Sequence, residues 1–171
     1  MVANPNGITV NGGGFLNADH AVLTTGRAEL NGAGNLQNYR VEQGKVAIEG
    51  KGLDGKGADS VSILARTINV NAGVWANKLN TRTGQNHIDA NNLKATALES
   101  STIETKPMIG LDVAAVGGMY ANHITMVGTE AGVGVNLNGV VAGSQSVSVD
   151  ANGHLSVNGT LQSDTRLVAK A

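Results

Sequence analysis

The sequence predicts an all-β solenoid, a chain wound into stacked coils. Three observations carry that expectation: a composition rich in Gly and small aliphatic residues, a string of very short alternating runs, and a degenerate repeat of about 20 residues. Of 171 residues, 24 are Gly, 19 are Asn and four are aromatic, while 41% are hydrophobic. Such a chain has a core of small aliphatic side chains to bury. With 15% charged residues it is too apolar for a disordered tail. A helical bundle is disfavoured, because Gly is costly inside helices.

The runs come in order along the chain. Val46, Ala47, Ile48 and Glu49 form one, and residues 62–64, 68–71, 74–76, 124–127, 147–150 and 155–157 form others. Most alternate apolar with polar, the pattern of a half-buried strand. Asn-Gly pairs punctuate them: Asn11-Gly12, Asn31-Gly32, Asn138-Gly139, Asn152-Gly153 and Asn158-Gly159. Such pairs accept positive φ and turn the chain sharply. The spacing of look-alikes sets the period. Asn138-Gly139 returns 20 residues later as Asn158-Gly159, Val147-Ser148-Val149 matches Leu167-Val168-Ala169 at the same distance, and Leu16 matches Leu36. Val46-Ala47-Ile48 and Ile68-Asn69-Val70 lie 22 apart. A leucine-rich repeat needs an L-x-x-L-x-L pattern, which is missing, and a closed barrel needs longer strands. Coils stacked about 4.8 Å apart satisfy every backbone donor from a neighbour. At most about eight coils fit, a rod of roughly 40 Å.

One stretch breaks the rhythm. Residues 79–106 are mostly polar, with Thr-rich pieces suited to a hairpin and a surface loop ending at Pro107. They are expected to project from the rod. The whole chain, residues 1–171, then reads as a single β-helix segment with an extra-helical excursion at 79–106.

The chemistry is sparse. Net charge is −1 with no basic stripe, so no nucleic-acid partner is expected. No apolar run reaches the roughly 18 residues of a membrane span, and Cys is absent. Met1-Val2-Ala3-Asn4 shows neither the basic nor the apolar region of a secretory signal. Gly50-x-Gly52-x-x-Gly55 copies a dinucleotide fingerprint, but a β run follows it rather than a helix, so it reads as a loop between coils. Asp54 and Asp59 form one imperfect copy of a calcium-binding repeat, and Asp150-Ala151-Asn152-Gly153 reads as a turn. His20, His87, His123 and His154 are spread out, and no metal or cofactor is expected. Charged side chains, Arg66 after Asp59 among them, read as solvated faces, so no catalytic residue is assigned. Trp75, Tyr39, Tyr120 and Phe15 are too few for a stacking platform.

The opening Asn4-Pro5-Asn6-Gly7-Ile8, running on through Thr9, Val10 and Asn11 to Leu23-Thr24-Thr25-Gly26, resembles a signature of the two-partner secretion exoproteins. Filamentous haemagglutinins and contact-dependent growth inhibition effectors belong to this group. The stretch from Gly117-Gly118-Met119-Tyr120-Ala121 to Val133-Gly134-Val135 resembles the passage of that domain into haemagglutinin repeats. The resemblance implies a right-handed parallel β-helix with extra-helical hairpins, and a partner outer-membrane transporter. It implies a non-enzymatic structural and secretion segment of a large exoprotein, secreted or held at the surface of a Gram-negative bacterium. Asn4, Pro5, Asn6, Gly7 and Ile8 are the secretion-motif candidates. In the family this motif follows a signal peptide and an N-terminal cap. The chain is therefore expected to be a truncated secretion domain, impaired in transporter recognition and able to form a homo-oligomer through an open β-helix end. An adhesin module binding a glycan or receptor, and a carbohydrate-active solenoid enzyme, are the rival readings.

Overall fold

The computed structural model describes residues 1–99 and 104–171. Among them there is no helix, and fifteen strands join one sheet wound into coils. Every pairing in that sheet is parallel. The strands fall into three columns, the three faces of a β-helix. Face one carries Ile8, Val46, Ile68, Leu111, Val135 and Leu155 in register. Face two carries Leu53, Val74, Met119, Val141 and Leu161. Face three carries Ala21, Val61, Leu79, Ile124, Val147 and Leu167. Counting down these columns gives six coils, preceded by the short strand Val2–Ala3 on face three. Six coils make a rod of about 29 Å, shorter than the sequence allows.

The shortfall has a cause. Successive rungs of the last two coils are 20 residues apart, as in Val141 and Leu161. Ala21 and Val61, however, are 40 apart, and Leu79 and Ile124 are 45 apart. Two coils therefore carry insertions. The first supplies strands Arg27–Leu30 and Leu36–Val41, the second Asn86–Asp89 and Ala95–Ala97. Together they build one four-stranded antiparallel sheet, with Asn86–Asp89 against Leu36–Val41 at its centre. Its apolar side, Tyr39, Val41 and Ile88, packs on Val22 and Leu64, which point outward from face three. The Leu16 and Leu36 match is thus not a coil repeat, since Leu36 lies in this outer sheet.

The expected excursion at 79–106 needs correcting at its start. Strand Lys78–Thr83 lies inside the β-helix, paired on both sides with Ala58–Ala65 and Gly118–Gly128. It reads as polar because Thr81 takes an inward rung between Ile63 and Met126, while Arg82 points outward beneath the added sheet. There Arg82 donates from Nε to the Leu93 carbonyl at 2.9 Å. A hairpin does form outside the rod, but between Asn86–Asp89 and Ala95–Ala97 rather than between the Thr-rich pieces, and the part of the loop at 100–103 lies outside the described residues.

The inward side chains are almost wholly buried. Thr81 is fully enclosed, yet its hydroxyl has no hydrogen-bond partner. A buried, unsatisfied hydroxyl costs about 1–3 kcal/mol. Thr81→Val is therefore expected to raise stability by about 1 kcal/mol, read as a thermal midpoint about 2–4 °C higher.

Candidate functional site

The five motif residues form one turn at the corner where face three passes to face one. Pro5 presets φ at the first bend, and the Gly7 N–H closes the turn on the Asn4 carbonyl at 3.1 Å. The Asn4 side chain caps the same turn from inside, its Oδ1 accepting from the Asn6 N–H at 3.0 Å. Gly7 has φ +127°, and a Cβ there would stand 3.1 Å from the Lys45 carbonyl oxygen. Ile8 then enters the first rung of face one against Val46. Asn4 also extends the parallel ladder, its N–H donating to the Thr24 carbonyl at 3.0 Å. Asn4 and Asn6 are exposed, while Pro5, Gly7 and Ile8 are partly buried.

What supports this turn was not legible in the sequence. The next coil brings Gly44 directly beneath it, with φ +90° and a Cβ position only 2.5 Å from the Pro5 carbonyl oxygen. Gln43 reaches up from the same corner, donating from Nε2 to that carbonyl at 3.3 Å. Thr25 Oγ1 holds the Gln43 carbonyl at 2.6 Å. One coil further down stands Arg66. Its solvated reading is overturned: Arg66 is 2% exposed and forms two hydrogen bonds to the Glu130 carboxylate, from Nη2 at 2.9 Å and Nε at 3.3 Å. Arg66 also donates to the Glu104 carbonyl at 3.1 Å, and the Glu104 carboxylate accepts from the Gly44 N–H at 3.3 Å. A planar guanidinium with several donors suits such a node. The node ties the motif corner, the return of the second insertion and coil four together. Its partners lie 38 and 64 residues from Arg66, which is why local reading found only Asp59.

Elsewhere, Gly52 of the fingerprint-like loop is a packing glycine, with a Cβ position 2.1 Å from the Gly73 carbonyl oxygen. His20 and His123 each bond through Nδ1 to a serine on the next coil, Ser60 and Ser146, at 2.8 Å. His87 joins the two insertions, 2.6 Å from the Glu29 carboxylate. Asp89 ends its strand by accepting from the N–H groups of Asn91 and Asn92, and these bonds hold its carboxyl below the usual aspartate range. Trp75 and Tyr120, distant in sequence, are stacked on the outside of face two with centroids 6.0 Å apart.

A family model described as the TPS secretion domain matches residues 1–157. The chain is 45% identical over 170 residues to "Toxin CdiA" of Yersinia pestis, covering 98% of this chain and 5% of that protein. It is 40% identical over all of its 171 residues to "16S rRNA endonuclease CdiA" of Enterobacter cloacae, again covering 5% of that protein. The chain thus spans about one-twentieth of the length of the curated relatives it matches. Among solved structures it is similar to the "filamentous hemagglutinin secretion domain", with a TM-score of 0.80 at 28% identity, covering 98% of this chain and 64% of that one.

Proposed function

The chain belongs to the TPS secretion domain family, and from that premise we propose that it folds outside the cell as the template on which the rest of a large exoprotein winds. A TPS exoprotein works with a partner outer-membrane transporter and is secreted or surface-exposed in a Gram-negative bacterium. The segment itself is structural rather than catalytic. The nuclease names of some relatives belong to proteins of which this chain matches 5%.

The observation that carries the reading is the continuous parallel pairing down the three columns, which holds across local bulges at residues 11–13, 109–111 and 121–123. Each coil pairs with the coil before it and the coil after it, from Ile8 to Leu155 on face one. Stability in such an array is close to a sum of nearest-neighbour terms. A chain emerging from a transporter therefore gains free energy coil by coil, without ATP.

Within this reading the turn Asn4-Pro5-Asn6-Gly7-Ile8 contributes the surface that the transporter recognises. The exposed side chains of Asn4 and Asn6 support that assignment. Asn6 is the informative position, because its backbone N–H, not its side chain, makes the turn's internal hydrogen bond. Asn6→Ala in a full-length exoprotein is expected to lower export severalfold while shifting the thermal midpoint of the isolated chain by no more than a few °C. Asn4→Ala is expected to lower export and cost about 1 kcal/mol through the lost cap. Immunoblots of culture supernatant against cell lysate provide the readout. Full export of both variants would remove the motif from transporter recognition.

A further inference from the structure

We propose that the outside of face two binds a neutral oligosaccharide, one sugar ring stacking on Tyr120. The relevant outward row runs Asp54, Trp75, Tyr120, Ala142 and Gln162 across five successive coils. Trp75 and Tyr120 stand as a stacked pair, 15° from parallel. Each ring leans over the glycine two residues before it. A Cβ on Gly73 would lie 2.2 Å from the Trp75 ring, and one on Gly118 would lie 2.6 Å from the Tyr120 hydroxyl. Those two glycines seat the rings, so the pair is preorganised. Trp75 and Tyr120 nevertheless remain 38% and 36% exposed as residues.

The ladder then stops. On the fifth coil the rung is Ala142, a methyl group, and on the sixth it is Gln162. The face of Tyr120 turned away from Trp75 therefore looks across a short rung toward an amide. A groove of about 250 Å³ opens there, bordered by Tyr120, Ala142, Ser144, Gln162 and Asp164. Ser144 is held in place by donating to Asn122 Oδ1 at 2.8 Å.

The chemistry of the groove selects its ligand. A pyranose offers an apolar C–H face for an aromatic ring and a rim of hydroxyls for amides, carboxylates and other hydroxyls. Tyr120 supplies the first, and Gln162, Asp164 and Ser144 supply the second. An apolar peptide would leave the amide and carboxylate unpaired. Asp54 at the start of the row and Asp164 at the border of the groove disfavour anionic sugars. The volume lies below the roughly 300 Å³ at which drug-sized pockets begin, which suits one ring at a time of a longer chain.

Trp75 is the only tryptophan in the chain, so it reports directly on this face. The full chain is titrated with chitohexaose, cellohexaose and maltohexaose while Trp75 fluorescence is followed. At least one is expected to give a saturable change. Tyr120→Ala is expected to weaken that binding by about tenfold or more, the scale of a lost ring contact, with the circular dichroism melt intact. Gln162→Ala and Asp164→Asn, both exposed on the last coil, are expected to weaken it several-fold and keep the test valid if Tyr120→Ala fails to fold. No response to any of the three sugars overturns the proposal. So does binding that survives all three substitutions, or heparin giving the same response. Export is independent of this site, so Tyr120→Ala in the full-length exoprotein is expected to be secreted normally.

Discussion

A chain carrying Val147→Asp together with Val149→Asp is expected to lose its cooperative thermal transition and, within a full-length exoprotein, to fail in export. Both valines are 1% exposed. Val147 sits between Ile124 and Leu167, and Val149 between Met126 and Ala169, on consecutive inward rungs of face three. A lone carboxylate placed there has no basic group on either adjacent rung. Burying it costs several kcal/mol even when it takes up a proton instead. Two such penalties are comparable to the whole stability of an ordinary domain, about 5–15 kcal/mol. Circular dichroism and limited proteolysis of the isolated chain check the fold, and supernatant immunoblots check export. Undiminished export of a chain shown not to fold would sink the idea that coil-by-coil folding drives secretion.

Gly139→Ala is expected to be strongly destabilising, although it adds a single methyl group. A Cβ at this corner would stand 2.2 Å from the Gly117 carbonyl oxygen and 2.4 Å from that of Ala114. Both belong to the backbone of the coil above, so no side chain can swing aside. The same corner repeats down the rod. A Cβ on Gly117 would stand 2.1 Å from the Val70 carbonyl oxygen, and one on Gly159 would stand 2.0 Å from that of Gly139. Asn158 Nδ2 donates to Asn138 Oδ1 at 2.9 Å beside them. Relieving the clash means separating coils four and five, which breaks the bonds from the Gly139 N–H to Val113 and from the Val140 N–H to Gly117. A loss of about 3 kcal/mol or more is expected, a fall of about 6–12 °C in thermal midpoint. Gly32→Ala is the matched control. Its Cβ would meet nothing within 4 Å, so the melt is expected to stay within about 2 °C.

The column structure was legible because aliphatic residues repeat at coil spacing. Val46 and Ile68, matched by sequence alone, are hydrogen-bonded neighbours on face one. The Asn-Gly corners were legible too, but three of them rest on a different cause. Gly12 has φ +75°, as the turn reading requires, whereas Gly139, Gly153 and Gly159 do not take positive φ and are glycine because a carbonyl of the previous coil occupies their Cβ space. Such a constraint lives between coils and leaves no local trace. The same holds for Arg66, whose partners arrive from two later segments, and for Trp75 and Tyr120, separated by 45 residues because an insertion lies between their coils. The first insertion escaped notice because Leu36–Val41 is a strand by composition and nothing in its local pattern separates it from a coil. The motif turn itself was readable, since proline, glycine and asparagine act on their own backbone. Its seat on Gly44 was not.

The shared outer sheet imposes an order of events on a polypeptide that appears N-terminus first. Its centre pairs Leu36–Val41 with Asn86–Asp89, so the first hairpin keeps an unfilled edge while the next two coils wind past it. Only when residues near 97 are outside does a late-arriving clasp close over three early turns at once. The opening of the rod thus matures as a block, a latched platform, before the simple 20-residue winding downstream begins.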